Sequence, residues 1–322
     1  PEMVGSFFRN RRRRHGFEAL SRGMVAAAAG DAAIAAREAK DASRQLGDSS
    51  LALLLKVQTA QLQDNTAETK RIFQEMLERT ETSALGLRGL FTLALEEGDK
   101  TAARALAEQA VQLGPQIPWA SQAVFDLQAT AGDWQAALKT LEARRRHKLI
   151  DRPAANRLAA VLRTAKALAE EEDDPTAALD DALEAHRLVP DFVPAAAFAA
   201  RLLAEKGEAG RAARIVERTW RANPHPDLAV IYGHVHPGDS GRQSLARAKS
   251  LAARAPESLE GVIAVAQAAL QARAFDEARE ALSPILDNEP SQRVCILMAE
   301  IENAENGDLG RVREWLTRAV TA

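Results

Sequence analysis

The chain has 322 residues, of which 46% are hydrophobic, 27% charged and only 4% aromatic. This composition, with few runs of β-branched or aromatic residues, predicts helix throughout and argues against a sheet-based fold. The formal net charge of -3, with both signs interspersed, provides no broad basic surface, so nucleic acid is not an expected partner. The single cysteine, Cys295, excludes an internal disulfide framework.

Residues 1–16 form a basic arm that differs from everything after it. Its positive charges stand beside two phenylalanines and are carried by Arg9, Arg11, Arg12, Arg13 and Arg14. Such a cluster fits contact with RNA, contact with anionic lipid, or the cytoplasmic edge of a transmembrane helix that ends upstream. Because the chain begins at Pro1 without a methionine, the third alternative is favoured, with the rest of the chain on the cytoplasmic side.

From residue 17 onward the chain repeats with a period near 34. Turn positions, here called anchors, recur at spacings of 34, 34, 34, 41, 34, 32, 34 and 34 residues. The anchors are Gly30, Asp64, Gly98, Gly132, Asp173, Gly207, Asp239, Arg273 and Gly307. The segments that follow Gly98, Gly132 and Arg273 resemble the turn and second helix of a tetratricopeptide repeat, with a small alanine five residues after the anchor.

Small residues and prolines at fixed distances from the anchors support this alignment. Alanines at Ala42, Ala110, Ala185 and Ala319, twelve residues after an anchor, would let two antiparallel helices approach closely. Larger residues such as Met76 and Arg144 stand at the same position and predict altered helix pairs there. Prolines seventeen residues after an anchor, at Pro115, Pro190, Pro224, Pro256 and Pro290, would separate one pair from the next. The prediction is an all-α, right-handed superhelical solenoid of about nine tetratricopeptide-like helix pairs over residues 17–322.

The first interruption of the period is the spacing of 41 residues, near residues 144–153. It contains a basic run of Arg144, Arg145, Arg146 and Lys148. Beside an irregular loop, this run could contact an acidic partner or anionic lipid. It could also be a solvated helix end, where cations interact favourably with the carbonyl dipole.

The second interruption covers residues 223–240, which contain three of the six histidines, His225, His234 and His236. Imidazole is a common ligand of metals and haem iron, so this segment is a candidate haem or metal contact. A His-x-His pair without a third ligand at fixed spacing is no recognised zinc pattern, and Pro-Gly punctuation also explains the segment as a turn.

Three parts of the sequence together resemble the soluble part of the proteobacterial HemY family. They are the basic arm, the alanine-rich first repeat that begins with Gly16–Gly23, and the late segment from His236-Pro237-Gly238-Asp239 to residues 278–282. Members of that family carry two N-terminal membrane helices followed by a cytoplasmic tetratricopeptide array. The resemblance implies an inner-membrane protein that acts in a late step of protohaem biosynthesis, beside enzymes such as ferrochelatase.

Motifs of catalysis are missing from the sequence. It has no Gly-x-Ser-x-Gly elbow, phosphate-binding glycine loop, His-Glu-x-x-His motif or dinucleotide fingerprint. The leading hypothesis is a non-catalytic adaptor that binds partner proteins and needs no cofactor. The alternatives are a haem- or porphyrin-binding carrier that uses His225, His234 or His236, and an adaptor in envelope assembly.

Overall fold

The structure is a computed structural model that describes residues 2–47, 49–114, 117–236, 238–286, 290–305 and 307–322, with side chains from residue 11 onward. These residues form eighteen helices and contain no strand. They fall into two compact units, Pro1–Ile150 (unit 1) and Asp151–Ala322 (unit 2).

The helices of unit 1 are α1 (Glu2–Ala28), α2 (Ala32–Leu46), α3 (Ser50–Leu62), α4 (Thr66–Leu77), α5 (Ser83–Glu96), α6 (Lys100–Leu113), α7 (Pro118–Thr130) and α8 (Trp134–Arg146). Those of unit 2 are α9 (Arg152–Glu170), α10 (Pro175–Leu188), α11 (Val193–Glu205), α12 (Ala209–Ala222), α13 (Pro226–His234), α14 (Gly241–Ala252), α15 (Leu259–Gln271), α16 (Phe275–Leu286), α17 (Gln292–Glu305) and α18 (Leu309–Thr321). Each anchor lies in the turn between an odd-numbered helix, the first of its pair, and the even-numbered second helix. The predicted all-α fold of consecutive helix pairs is confirmed.

The anchor turns follow from the chemistry of two adjacent residues. Gly98 has a φ of 75°, and the amide of Asp99 donates to the Ala94 carbonyl at 2.8 Å, which satisfies a carbonyl at the end of α5. The Asp99 carboxylate then accepts from the amide of Ala102 at 2.9 Å and caps α6. The left-handed φ recurs at seven anchors: Gly30, Asp64, Gly98, Gly132, Gly207, Arg273 and Gly307.

The small residues that follow the anchors lie inside the helix pairs. Ala103, Ala137 and Ala278, each five residues after an anchor, are fully buried. Their size lets the two helices of a pair approach closely, as the sequence predicts. Of the prolines proposed to separate pairs, Pro190 and Pro224 come two residues after the ends of α10 and α12. Pro115 lies outside the described residues.

Within each unit every helix packs on the next one in the chain. In unit 2 the first helices α9, α11, α13, α15 and α17 also contact one another in turn and form one layer. The largest core cluster of unit 2 surrounds the fully buried Trp220 on α12. The core of unit 1 includes a cluster of α3, α4 and α5 residues around Phe73.

The predicted boundary between arm and repeats, at residues 16 and 17, falls inside the continuous helix α1. What changes there is burial, because residues 11–15 are exposed whereas Gly16, Ala19 and Leu20 are buried. Gly16 packs so closely on α2 that an added Cβ would lie 2.5 Å from the Leu46 side chain. The basic arm is therefore a helical extension of the first repeat. The division between the units, after Ile150, falls in the 41-residue spacing.

Helices long and apolar enough to cross a bilayer do not occur in the part of the chain that the structure describes.

Candidate functional site

A cavity of about 370 Å³ opens in unit 2 between α13, α14 and α15. Half of its sixteen lining residues are small, among them Ala229, Gly233, Ser244, Ala248, Ala264 and Ala268. The buried Leu251 also lines it, and polar groups are supplied by His234, His236, Gln267 and Gln271. Concave sites with apolar walls and a few convergent polar groups are the usual setting for a bound ligand.

The cavity exists because α13 is short. It has 9 residues, whereas α11 and α15 on either side have 13 each. Pro226 begins α13, and the chain turns at Gly238, where φ is 91°. Ser240 and Gln243 then form a reciprocal capping box that starts α14. The missing turn of helix leaves the space that the cavity occupies.

A partly buried polar network holds this shortened segment in place. The Tyr232 hydroxyl donates to the Glu217 carboxylate at 2.7 Å, and the Arg254 guanidinium lies 2.7 Å from the same oxygen. Burial, together with the hydrogen bond to Glu217, raises the pKa of Tyr232 to about 12. Arg247 forms an ion pair with Asp239 and ties the turn to α14. These contacts fix α13 relative to α12 and α14, which gives the cavity a defined shape.

Gln267 and Gln271 are the groups best placed to recognise a polypeptide backbone. They lie one turn apart on α15, are exposed, and are not hydrogen-bonded to another described residue. Four residues of helix rise about 6 Å. Two residues of an extended strand span about 6.6 Å, so successive amides on one side of such a peptide match the two glutamines in spacing. Each glutamine amide offers both a donor and an acceptor.

Sequence reasoning missed these two glutamines. In the sequence, Gln267 and Gln271 are typical of solvated helix positions. Only the nearby Ala264 and Ala268, which have the same four-residue spacing, indicate an open surface. The shortness of α13, at the second interruption of the repeat, is what exposes them.

The structure separates the three predicted histidines. His234 and His236 line the cavity, whereas His225 does not. His225 caps α13, where its Nδ1 accepts from the amide of Asp227 at 3.2 Å. The Nδ1 of His234 lies 2.7 Å from the Val230 carbonyl oxygen and therefore carries the proton, which leaves Nε2 as a free acceptor. Among the described residues there is no group of three or more His, Cys, Asp or Glu side chains that could hold a metal ion.

The predicted basic run at the first interruption is also divided. Arg145, Arg146 and Lys148 are exposed, and Arg145 donates to Glu142 at 2.9 Å. Arg144 is buried, so its inclusion in an exposed contact surface is wrong. It occupies the inward position twelve residues after its anchor, with its guanidinium 5.7 Å from the centre of the Phe125 ring. Burial lowers the pKa of Arg144.

In the arm, Arg11, Arg12, Arg13 and Arg14 are exposed, and the side chain of Arg9 lies outside the described part. Arg12 donates to the carbonyl oxygen of Arg44 at 2.6 Å, near the end of α2. Arg14 donates to Glu18, one turn further along α1, at 3.1 Å. The arm therefore presents cations to solvent along a helix that is anchored to the first repeat.

Comparison with known proteins bears on the N-terminal region and on the fold. Residues 1–64 match the family model of the HemY protein N-terminus, which confirms the resemblance seen in the sequence. Over 199 residues the chain is 30% identical to the probable magnetosome protein Mms48 of Magnetospirillum gryphiswaldense. That similarity covers 60% of this chain and 43% of the relative, so the chain spans less than half the length of that protein.

Among solved structures, the complex of Naa15/Naa10 bound to HypK-THB is similar with a TM-score of 0.51 and 15% identity, over 98% of this chain and 54% of the other. A tetratricopeptide repeat protein from Parabacteroides merdae is similar with a TM-score of 0.35 and 15% identity, over 77% of this chain and 98% of the other. At such identities the likeness concerns the fold alone.

Proposed function

We propose that this chain, which carries a HemY N-terminal domain and folds into tetratricopeptide-like helix pairs, is a non-catalytic scaffold that binds partner proteins in protohaem biosynthesis. The match of residues 1–64 to the HemY N-terminus is the observation that carries the link to this pathway. The partners in this proposal are late haem-pathway enzymes such as ferrochelatase. In this proposal the scaffold lies at the anionic surface of the inner membrane, with the helix pairs on the cytoplasmic side, and the exposed arginines of the basic arm support that location.

The cavity between α13, α14 and α15 is the proposed partner site. Its small walls allow the backbone of an extended partner segment to approach α15, and Gln267 and Gln271 pair with that backbone. Main-chain hydrogen bonds provide affinity in this mode of recognition, and the space between Ala229, Ala248 and Ala264 accepts side chains of the segment.

Affinity capture from membranes tests this function. The full-length protein is compared with a Gln267→Ala, Gln271→Ala double variant and with Gln122→Ala as a matched control, because Gln122 is an exposed glutamine on α7 in unit 1. We expect late haem-pathway enzymes to be enriched by the wild type and the control, and at least about tenfold less by the double variant. Equal enrichment by an unrelated membrane protein would contradict the proposal.

A second candidate function, a haem- or porphyrin-binding carrier, is favoured by His234 and His236 lining one cavity. His234 offers a free Nε2 while its Nδ1–H bonds to a carbonyl, the arrangement typical of metal-ligating histidines. His234 would then hold the haem iron, and the porphyrin would supply the Soret absorption that such ligation shifts.

Titration with hemin separates this candidate from a simple scaffold. A shifted Soret band in the wild type and in His225→Ala, lost in a His234→Ala, His236→Ala double variant, would support the carrier, because His225 does not line the cavity. Identical spectra for all three proteins would exclude haem binding at this site.

A further inference from the structure

A second cavity, of about 490 Å³, opens in unit 1 between α3, α4 and α5 and is here called the α3–α5 groove. Its base is apolar and includes the buried Val57 and Phe73 and the half-buried Leu93. An added Cβ at Gly89 would lie 2.3 Å from the Phe73 ring, so the α5 backbone borders this base closely. The groove thus offers apolar contact to a ligand that enters it.

The groove occupies the same place in the repeat as the cavity of unit 2. Thr92 stands 28 residues after its anchor, as Gln267 does in unit 2. Glu96 and Gln271 are equivalent in the same way, each 32 residues after its anchor. The repeat therefore builds two openings of one kind, and they differ in the side chains around them.

One end of the groove is cationic. Arg88 is exposed on α5 and lines the groove, and no carboxylate among the described residues pairs with its guanidinium. Other arginines of unit 1 are paired, for example Arg71 with Glu68 at 2.7 Å and Arg104 with Glu108 at 2.8 Å. Arg88 is therefore available to bind a carboxylate of a ligand.

The other end of the groove is anionic. Asp64, which follows α3, and Glu96, the last residue of α5, both line it, and no ion pair joins either carboxylate to another side chain in the described ranges. The adjacent Glu97 is already paired with Lys70 at 3.3 Å. The carbonyl ends of α3 and α5 add negative potential here. This end therefore suits a lysine or arginine of a ligand.

The separation of the two ends fits an extended segment. Arg88 and Glu96 are eight residues apart on α5, a rise of about 12 Å. Four residues of an extended strand span about 13 Å and bring the first and last side chains to the same side. Between the two ends lies Thr92, whose hydroxyl donates to the Arg88 carbonyl at 3.1 Å and keeps acceptor capacity for a main-chain amide.

We infer that the α3–α5 groove binds an extended segment of a partner protein that carries an acidic and a basic residue four positions apart, with an apolar residue midway between them. The acidic side chain pairs with Arg88, the basic one pairs with Asp64 and Glu96, and the apolar one contacts Phe73. The inference rests on the proposed function, because it takes partner proteins as ligands, and it adds a second site whose requirement is ionic.

Selection from a phage-displayed library of random nine-residue peptides tests this site on the whole chain. We expect the enriched peptides to carry an acidic and a basic residue four positions apart, in one order. Selection on Arg88→Glu should instead enrich peptides with basic residues at both positions, a change that a merely unfolded variant cannot produce. Arg214→Glu is the matched control, at an exposed arginine on α12, and should enrich the wild-type pattern.

Fluorescence anisotropy with one enriched peptide measures the size of the effect. We expect Arg88→Glu to weaken binding by about tenfold or more, because a repulsion replaces an attraction. The Gln267→Ala, Gln271→Ala variant should bind this peptide as the wild type does. Failure at the α3–α5 groove is therefore distinguishable from failure of the cavity in unit 2.

The inference is overturned if the selection does not enrich the pattern, or if Arg88→Glu binds the enriched peptide unchanged. It is also overturned if the full-length protein does not bind that peptide, since another part of the same protein would then occupy the groove. Self-association in sedimentation that Arg88→Glu abolishes would overturn it as well, because the occupant would be a second copy.

Discussion

At the scale of single residues, the left-handed anchors carry strain that varies with residue type. Glycine adopts a positive φ freely, whereas a residue with a Cβ in this region is destabilised by about 1–2 kcal/mol. Arg273 has a φ of 56° and takes the place that Gly207 fills in another pair of unit 2. The repeat therefore tolerates a non-glycine residue here at some loss of stability.

Replacement of Arg273 by glycine should relieve that strain. We expect Arg273→Gly to raise the free energy of unfolding by about 1 kcal/mol. Gly207→Ala should lower it by a similar amount, because an added Cβ meets nothing within 4 Å and only the backbone conformation opposes it. Urea denaturation followed by circular dichroism measures both changes. Destabilisation by Arg273→Gly would mean that its side chain makes a stabilising contact.

His186 makes stability depend on pH. It is buried on α10, its Nδ1 has no hydrogen-bond partner, and burial, with a smaller effect of Arg218, lowers its pKa. The unfolded chain then binds a proton more readily than the native chain, so stability falls as pH decreases below about 6.5. His186→Leu should reduce this loss. Urea midpoints of the wild type and of His186→Leu at pH 7 and pH 5 test this expectation. An equal loss of stability at pH 5 in both proteins would assign the pH dependence to other groups.

At the scale of elements, close helix packing depends on glycine as well as alanine. The Phe73 ring of α4 lies against Gly89 in the middle of α5. We expect Gly89→Ala to destabilise the protein by about 1–3 kcal/mol, because the new Cβ overlaps a buried ring. Gly210→Ala on α12 is the control, since nothing lies within 4 Å of the added atom. Equal thermal midpoints for the two variants would show that α5 moves to admit the new Cβ without loss of stability.

How far the sequence predicts an element depends on whether its signal is local. The anchor turns were predictable, because one residue ends a helix and the next caps another, as Gly98 and Asp99 do. The interruption at residues 223–240, where α13 is short, was also visible, from the changed period and the Pro-Gly turn. The proposed role of Gln267 and Gln271 was not, because it depends on space that the shortening of a different helix creates. Arg144 was misassigned because its neighbours are basic, although its repeat position points inward.

At the scale of the whole molecule, each unit has its own hydrophobic clusters. We therefore expect separate fragments of residues 1–150 and 151–322 each to fold, with helical circular dichroism and cooperative urea unfolding. Such arrays are stabilised by contacts between neighbouring pairs, and each fragment keeps the contacts among its own pairs. A fragment that remains unfolded would show that its core needs the other unit.

The central claim is that the cavity between α13, α14 and α15 binds a partner protein. A photo-reactive p-benzoylphenylalanine at position 271 tests it most directly in native membranes. Position 214 is the control, because Arg214 is exposed on α12 but does not line the cavity. We expect a discrete protein adduct from position 271, absent from position 214 and lost in the Gln267→Ala background. No adduct from position 271, or the same adducts from both positions, would contradict it.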